Sequence, residues 1–107
     1  VYASAMVTAP TGDPQYFFTS CALDSSVSNN GHYHSDKLEE LAAEIEKEFD
    51  TEKRSELGIQ MQQTVLDDHA YVFCSHLKMS MIMQSNVTGL VAHPCDYYEL
   101  TADLDIN

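Results

Sequence analysis

Two stretches of the chain repeat apolar residues at helical spacing. Leu38, Leu41, Ala42, Ile45 and Phe49 fall at i, i+3, i+4, i+7 and i+11, which predicts an amphipathic helix over about 36–49. Asp36 followed by Glu39 has the spacing of a capping box, with Asp in place of Ser or Thr. Glu40, Glu44 and Glu48 fall on the wet side with Lys37 and Lys47, and the like-charge pair Glu44–Glu48 does not favour the helix. Asp50 or Thr51 then breaks and recaps the chain. Leu57, Met61 and Val65 line one face of a second helix over about 51–68, with Ile59 and Leu66 widening its apolar surface. Glu52 lies in its first turn, where the macrodipole favours an acid. The short link between the two makes an αα-hairpin.

The flanks read differently. Residues 2–8 hold β-branched and aromatic residues and predict a strand, ended by a turn at Thr11-Gly12-Asp13-Pro14. Tyr16, Phe17 and Phe18 predict a buried short helix or an irregular packed segment. Residues 22–35 are rich in Ser, Asn and Gly and form a loop long enough to suspect of function or disorder. Past Asp67-Asp68-His69, apolar runs at about 70–75, 78–84 and 87–91 predict short strands, and the tail from Pro94 reads as a surface-lying extension. The order of elements is that of an α+β chain, an αα-hairpin packed with a few short strands.

Composition narrows the partners. The 107 residues are 44% apolar, which argues against disorder, and fit one domain. Five basic against seventeen acidic residues give a net charge of −12, which excludes a nucleic-acid backbone or an anionic membrane as partner. No run approaches the ~20 apolar residues of a membrane span. Residues 1–10 lack the basic and apolar regions of a signal peptide, and the absence of an initiator Met points to a fragment or a processed product. Cys21, Cys74 and Cys95 form neither a disulfide framework nor a zinc-knuckle spacing; one pair plus one thiol, or three thiols, both fit.

Candidate chemistry concentrates in Gly31-His32-Tyr33-His34. Two imidazoles at i and i+2 can share a metal where the backbone turns, and imidazole suits nickel, copper, zinc and iron; the alternative is two solvated loop histidines. His69 at a helix end suits the macrodipole. His93 before Pro94-Cys95 lacks an orienting third group. Met79, Met81 and Met83 share one strand face and read as core filler rather than a copper site. Asp67-Asp68 and the Glu run lack EF-hand spacing. No Walker loop, GxGxxG, GxSxG or HExxH is present, and no catalytic set is complete.

Several pieces, taken in order, resemble the family 5 extracellular solute-binding proteins, the dipeptide-, oligopeptide- and nickel-binding receptors of ABC importers. Thr11-Gly12-Asp13-Pro14-Gln15-Tyr16-Phe17-Phe18 resembles the family's GDP-x-x-F-L stretch. A Ser/Asn/Gly loop and Asp36-Lys37-Leu38 follow, then Asp50-Thr51-Glu52-Lys53-Arg54 in the place of its D-x-E-K-R turn. Gln60, Gln62 and Gln63, then Val65 to Phe73, match the helix and the following A-Y-V-F, and Asn86-Val87-Thr88-Gly89 resembles its N-V-x-G turn. The resemblance covers about residues 1–100.

It implies the C-terminal portion of a two-lobed receptor of the periplasmic-binding-protein fold (type II, cluster C). Such a receptor is not an enzyme. It works outside the cytoplasmic membrane, in the periplasm or as a lipoprotein, and hands its ligand to an ABC permease. Within the family the chain looks closer to the nickel-binding branch, in which a loop histidine contacts the metal, usually carried by a small organic chelator. Gly31-His32 matches that segment best, with His34 as second choice. The peptide-binding branch shares the Asp-x-Glu-Lys-Arg turn and the helix pair, so peptide is the alternative ligand, and a free-standing acidic interaction module is another reading. A piece cut from a larger receptor carries apolar surface that seeks cover, so self-association is expected.

Overall fold

A computed structural model of the chain describes residues 2–6, 9–78, 80–93 and 100–107. The chain divides into two compact units, 1–73 and 74–107. The first contains α1 (Gln15–Cys21), α2 (Asp36–Ile45) and α3 (Thr51–Asp67). The second contains β1 (Val87–Thr88) and β2 (Asp105–Ile106), paired antiparallel with Val87 opposite Ile106 and Thr88 opposite Asp105. These are the elements of a small α+β chain.

The helical stripes form the core of the first unit. Leu38, Leu41, Ala42 and Ile45 of α2 are buried against Leu57, Met61 and Val65 of α3, and Phe18 of α1 closes the cluster. The two longer helices form the expected hairpin and pack on each other more extensively than α1 packs on α2. Gly58 lets α3 pass close to the turn before α1: a Cβ at this position would lie 2.8 Å from Pro14 Cβ.

Helix ends differ from the expectation for identifiable reasons. α2 stops at Ile45, and Phe49 is 91% exposed rather than continuing the stripe. Beyond Ile45 the ladder tightens, with Lys47 N–H donating to the Glu44 carbonyl and Glu48 N–H to the Ile45 carbonyl. The Glu48 carboxylate then accepts from the Phe49 and Asp50 amides, both at 2.9 Å, and turns the chain. Arg54 finishes the corner. Its guanidinium donates to the Ile45 carbonyl at 2.5 Å and the Glu48 carbonyl at 2.8 Å, satisfying acceptors that a helix end leaves orphaned. It also donates to Asp13 Oδ2 at 2.6 Å and Gln15 Oε1 at 3.2 Å, tying the start of α1 to the α2–α3 corner.

The expected capping box at Asp36 and Glu39 is not formed. Ser35 occupies the N-cap, and Glu39 Oε1 instead accepts from the Asp24 amide at 2.8 Å, drawn away by an unpaired donor in the preceding loop. Asp50 is the N-cap of α3, its side chain accepting from Lys53 N–H at 3.0 Å. α3 ends in a Schellman turn: His69 has φ 53°, its amide donates to the Leu66 carbonyl, and the Ala70 amide reaches Val65. Ile59 and Leu66 do not widen the buried face; they are 64% and 48% exposed, outside the 57–61–65 stripe.

The strand expectations need more correction. Residues 2–6 form no strand, and Val7 and Thr8 lie outside the described residues. Nor do residues 70–78 or 80–84, with Met79 outside the described residues. Of 87–91 only Val87–Thr88 is paired, and its partner comes from the tail expected to be irregular. An apolar run becomes a strand only when a ladder partner satisfies its backbone, and spacing along one segment does not supply that partner. Gly89 follows β1 at φ 78°, where a Cβ would collide with the Asp103 carbonyl.

Candidate functional site

The loop 22–35 is ordered by its own polar side chains. Asn29 clamps it, with Nδ2 donating to the Tyr33 carbonyl at 2.7 Å and the Leu23 carbonyl at 3.2 Å, and Oδ1 accepting from the Tyr33 amide at 2.9 Å. The Ser26 hydroxyl accepts from the Leu23 amide at 2.9 Å and lies 2.8 Å from the Thr19 carbonyl, holding the loop to the end of α1. Tyr33 donates its hydroxyl to Asp68 Oδ2 at 2.6 Å, anchoring the loop to the end of α3. Burial and this bond push the Tyr33 phenol above its ordinary range.

The two candidate histidines take different roles. His32, at φ 50°, is exposed and lines an open polar hollow of about 430 Å³ with Asp24, Asn29, Asn30 and Tyr33. His34 does not line that hollow. Its Nδ1 lies 2.8 Å from Asp24 Oδ2 and its Nε2 lies 3.3 Å from Asp36 Oδ1. Hydrogen bonding and charge attraction from Asp24, reinforced by Asp36, hold the imidazole pKa above its ordinary value, favouring the cation. Asp24 is shared, facing the hollow and holding His34. Among the described residues, no group of three or more His, Cys, Asp or Glu side chains is placed to hold a metal ion. The hollow can present one imidazole and one carboxylate, with Asn and Tyr as hydrogen-bonding partners.

The remaining candidates are placed as follows. His69 caps the end of α3, its Nδ1 lying 2.7 Å from the Asp67 carbonyl. Cys21 is a buried thiol donating to Met6 Sδ, and burial raises its pKa. Cys21 and Cys74 are not joined in a disulfide, and Pro94 and Cys95 lie outside the described residues. Glu40, Ala43 and Glu44 of α2, with Lys47 and Glu48 just beyond its end, form an open dish. No helix among the described residues is long and apolar enough to cross a membrane.

Sequence reasoning missed Asp24 and Asn29 as organisers of the loop. The available signal was their type: Asn and Asp bond readily to nearby backbone in loops. Nothing local marks Arg54 as a tie between elements, because its partners Asp13 and Gln15 lie about forty residues away in sequence. No family model, curated protein or solved structure matches this chain.

Proposed function

We propose that the chain is part of the substrate-binding component of an ABC importer, capturing nickel or a nickel chelate outside the membrane for delivery to a permease. The observation that carries this reading is the way the family-like pieces meet. Asp13 of the Gly-Asp-Pro turn pairs with Arg54 of the Asp-Thr-Glu-Lys-Arg turn at 2.6 Å. Phe17, in the same stretch as Asp13, makes edge contacts with Tyr71 and Phe73 of the Ala-Tyr-Val-Phe segment, at 5.6 and 5.8 Å between ring centres. Motifs distant in sequence that interlock physically behave as one structural signature. In this role they build the scaffold and leave the 22–35 loop to meet the ligand.

On this reading His32 supplies the imidazole at the hollow and His34 is second to it. Binding works by population shift, because the ligand contacts are complete only when the receptor's lobes close. A peptide ligand within the same family is the second reading. It is favoured by His34, whose two ring nitrogens are already directed to Asp24 and Asp36.

Calorimetry tests both. Nickel titrated into the chain is expected to give a weak binding heat that falls in the His32→Ala, His34→Ala double variant. Equal heats remove these histidines from the site. Heat with dipeptides and none with nickel moves the assignment to the peptide branch.

A further inference from the structure

The hollow's rim carries a reactive dipeptide. Asn30 and Gly31 are adjacent and both exposed. The Gly31 amide donates to no group among the described residues, and a Cβ built on Gly31 meets nothing within 4 Å. The Asn30 side chain makes a single contact, Nδ2 to the Ser28 carbonyl at 3.1 Å. The attacking nitrogen is therefore unengaged, and both residues are open to solvent.

We propose that Asn30–Gly31 is a self-modification site at which Asn30 deamidates through a cyclic imide, with water as the only co-reactant. The Gly31 nitrogen gives up its proton to solvent and bonds to Asn30 Cγ. The Cγ–Nδ2 bond breaks, and the side-chain nitrogen leaves as ammonia with a proton from water. Water then opens the ring at either carbonyl, giving aspartate or isoaspartate. One water is consumed, one ammonia is released and no electrons are transferred.

Asn29 and Asn86 are less disposed to this chemistry. Asn29 is held by three hydrogen bonds and is followed by Asn30, and Asn86 is followed by the β-branched Val87. The product places a new carboxylate beside Asp24 and His32. The isoaspartate form also lengthens the main chain by one atom just before His32, next to the clamp that Asn29 makes on Tyr33. The inference depends on the loop alone and stands apart from the importer reading.

The test is incubation of the folded chain in warm, mildly alkaline buffer, followed by peptide mapping with tandem mass spectrometry. Asn30 is expected to convert to two isomeric products while Asn86, shielded by its β-branched neighbour, lags by about tenfold or more. Gly31→Ala, which has room for its methyl group, is expected to slow conversion by about tenfold or more because the Cβ hinders attack. Its circular dichroism should match the parent. Conversion at Asn30 only in urea, or an equal rate in Gly31→Ala, would overturn the proposal.

Discussion

Residues 1–73 seal Leu38, Ile45 and Met61 completely from solvent, whereas none of the described residues of 74–107 is buried and Ile82 there is 99% exposed. Both regions are supplied with apolar side chains. What separates them is the backbone. Helices satisfy their own hydrogen bonds and can then turn a stripe inward, so a stripe on α2 meets a stripe on α3 across a short link. A strand instead needs a partner from elsewhere in the chain, and the second region's only regular structure among the described residues is one pair of two-residue strands. Apolar content stabilises a region only after its backbone polar groups have somewhere to go.

The sharpest test of that contrast is truncation. Phe18→Ala should cost about 3–5 kcal/mol in the helical unit. Ile82→Ala should fall within about 0.5 kcal/mol of the parent. Urea midpoints with unchanged slopes measure both, and a large loss at Ile82 would erase the distinction.

Next in size is the Arg54 corner, which is only 20% exposed. Arg54→Ala should cost about 2–3 kcal/mol because it removes the partner of Asp13 Oδ2 and of the Glu48 carbonyl at once. Arg54→Lys should recover little, since an ammonium cannot span acceptors that the planar fork reaches together. Full recovery by Lys would reduce the corner to a simple charge contact.

Gly58→Ala opposes two effects within the helical unit. Alanine favours the helix by about 1 kcal/mol, but the methyl group must displace Pro14 at a cost of about 1–3 kcal/mol. A net loss of about 1 kcal/mol is expected. A gain would show that the turn before α1 is soft.

The smallest effect concerns the loop. The folded imidazole pKa of His34 is raised, so its contribution is fully present below the ordinary imidazole value and is lost as pH rises through the folded value. Asp24→Asn should lower that pKa toward the ordinary value, as read by NMR titration of the ring protons. The difference in urea midpoint between this variant and the parent should vanish on the alkaline side. Both groups are more than half exposed, so solvent screening keeps the stability change slight.

Much of the helical unit was legible in the residue pattern. The stripes of α2 and α3 are local, and their period alone names the buried positions from Leu38 to Ile45 and from Leu57 to Val65. The end of α2 was not legible. Phe49 continues the spacing, but Glu48 and Arg54 capture the backbone first. The loop's place was legible from its Ser, Asn and Gly content, whereas the division of labour between His32 and His34 was not. That division depends on Asp24, ten residues earlier, folding back to meet one ring and not the other.

By itself the sequence determined the two long helices, the loop between α1 and α2, and a net charge of −12. Each follows from neighbours in the chain or from composition. Only tertiary structure decided where α2 stops, which apolar runs form a strand among the described residues, and that the Gly-Asp-Pro turn is bolted to the α2–α3 corner. Those outcomes depend on which distant donor reaches an acceptor first, and hydrogen bonds, unlike apolar stripes, require a particular partner at a particular distance.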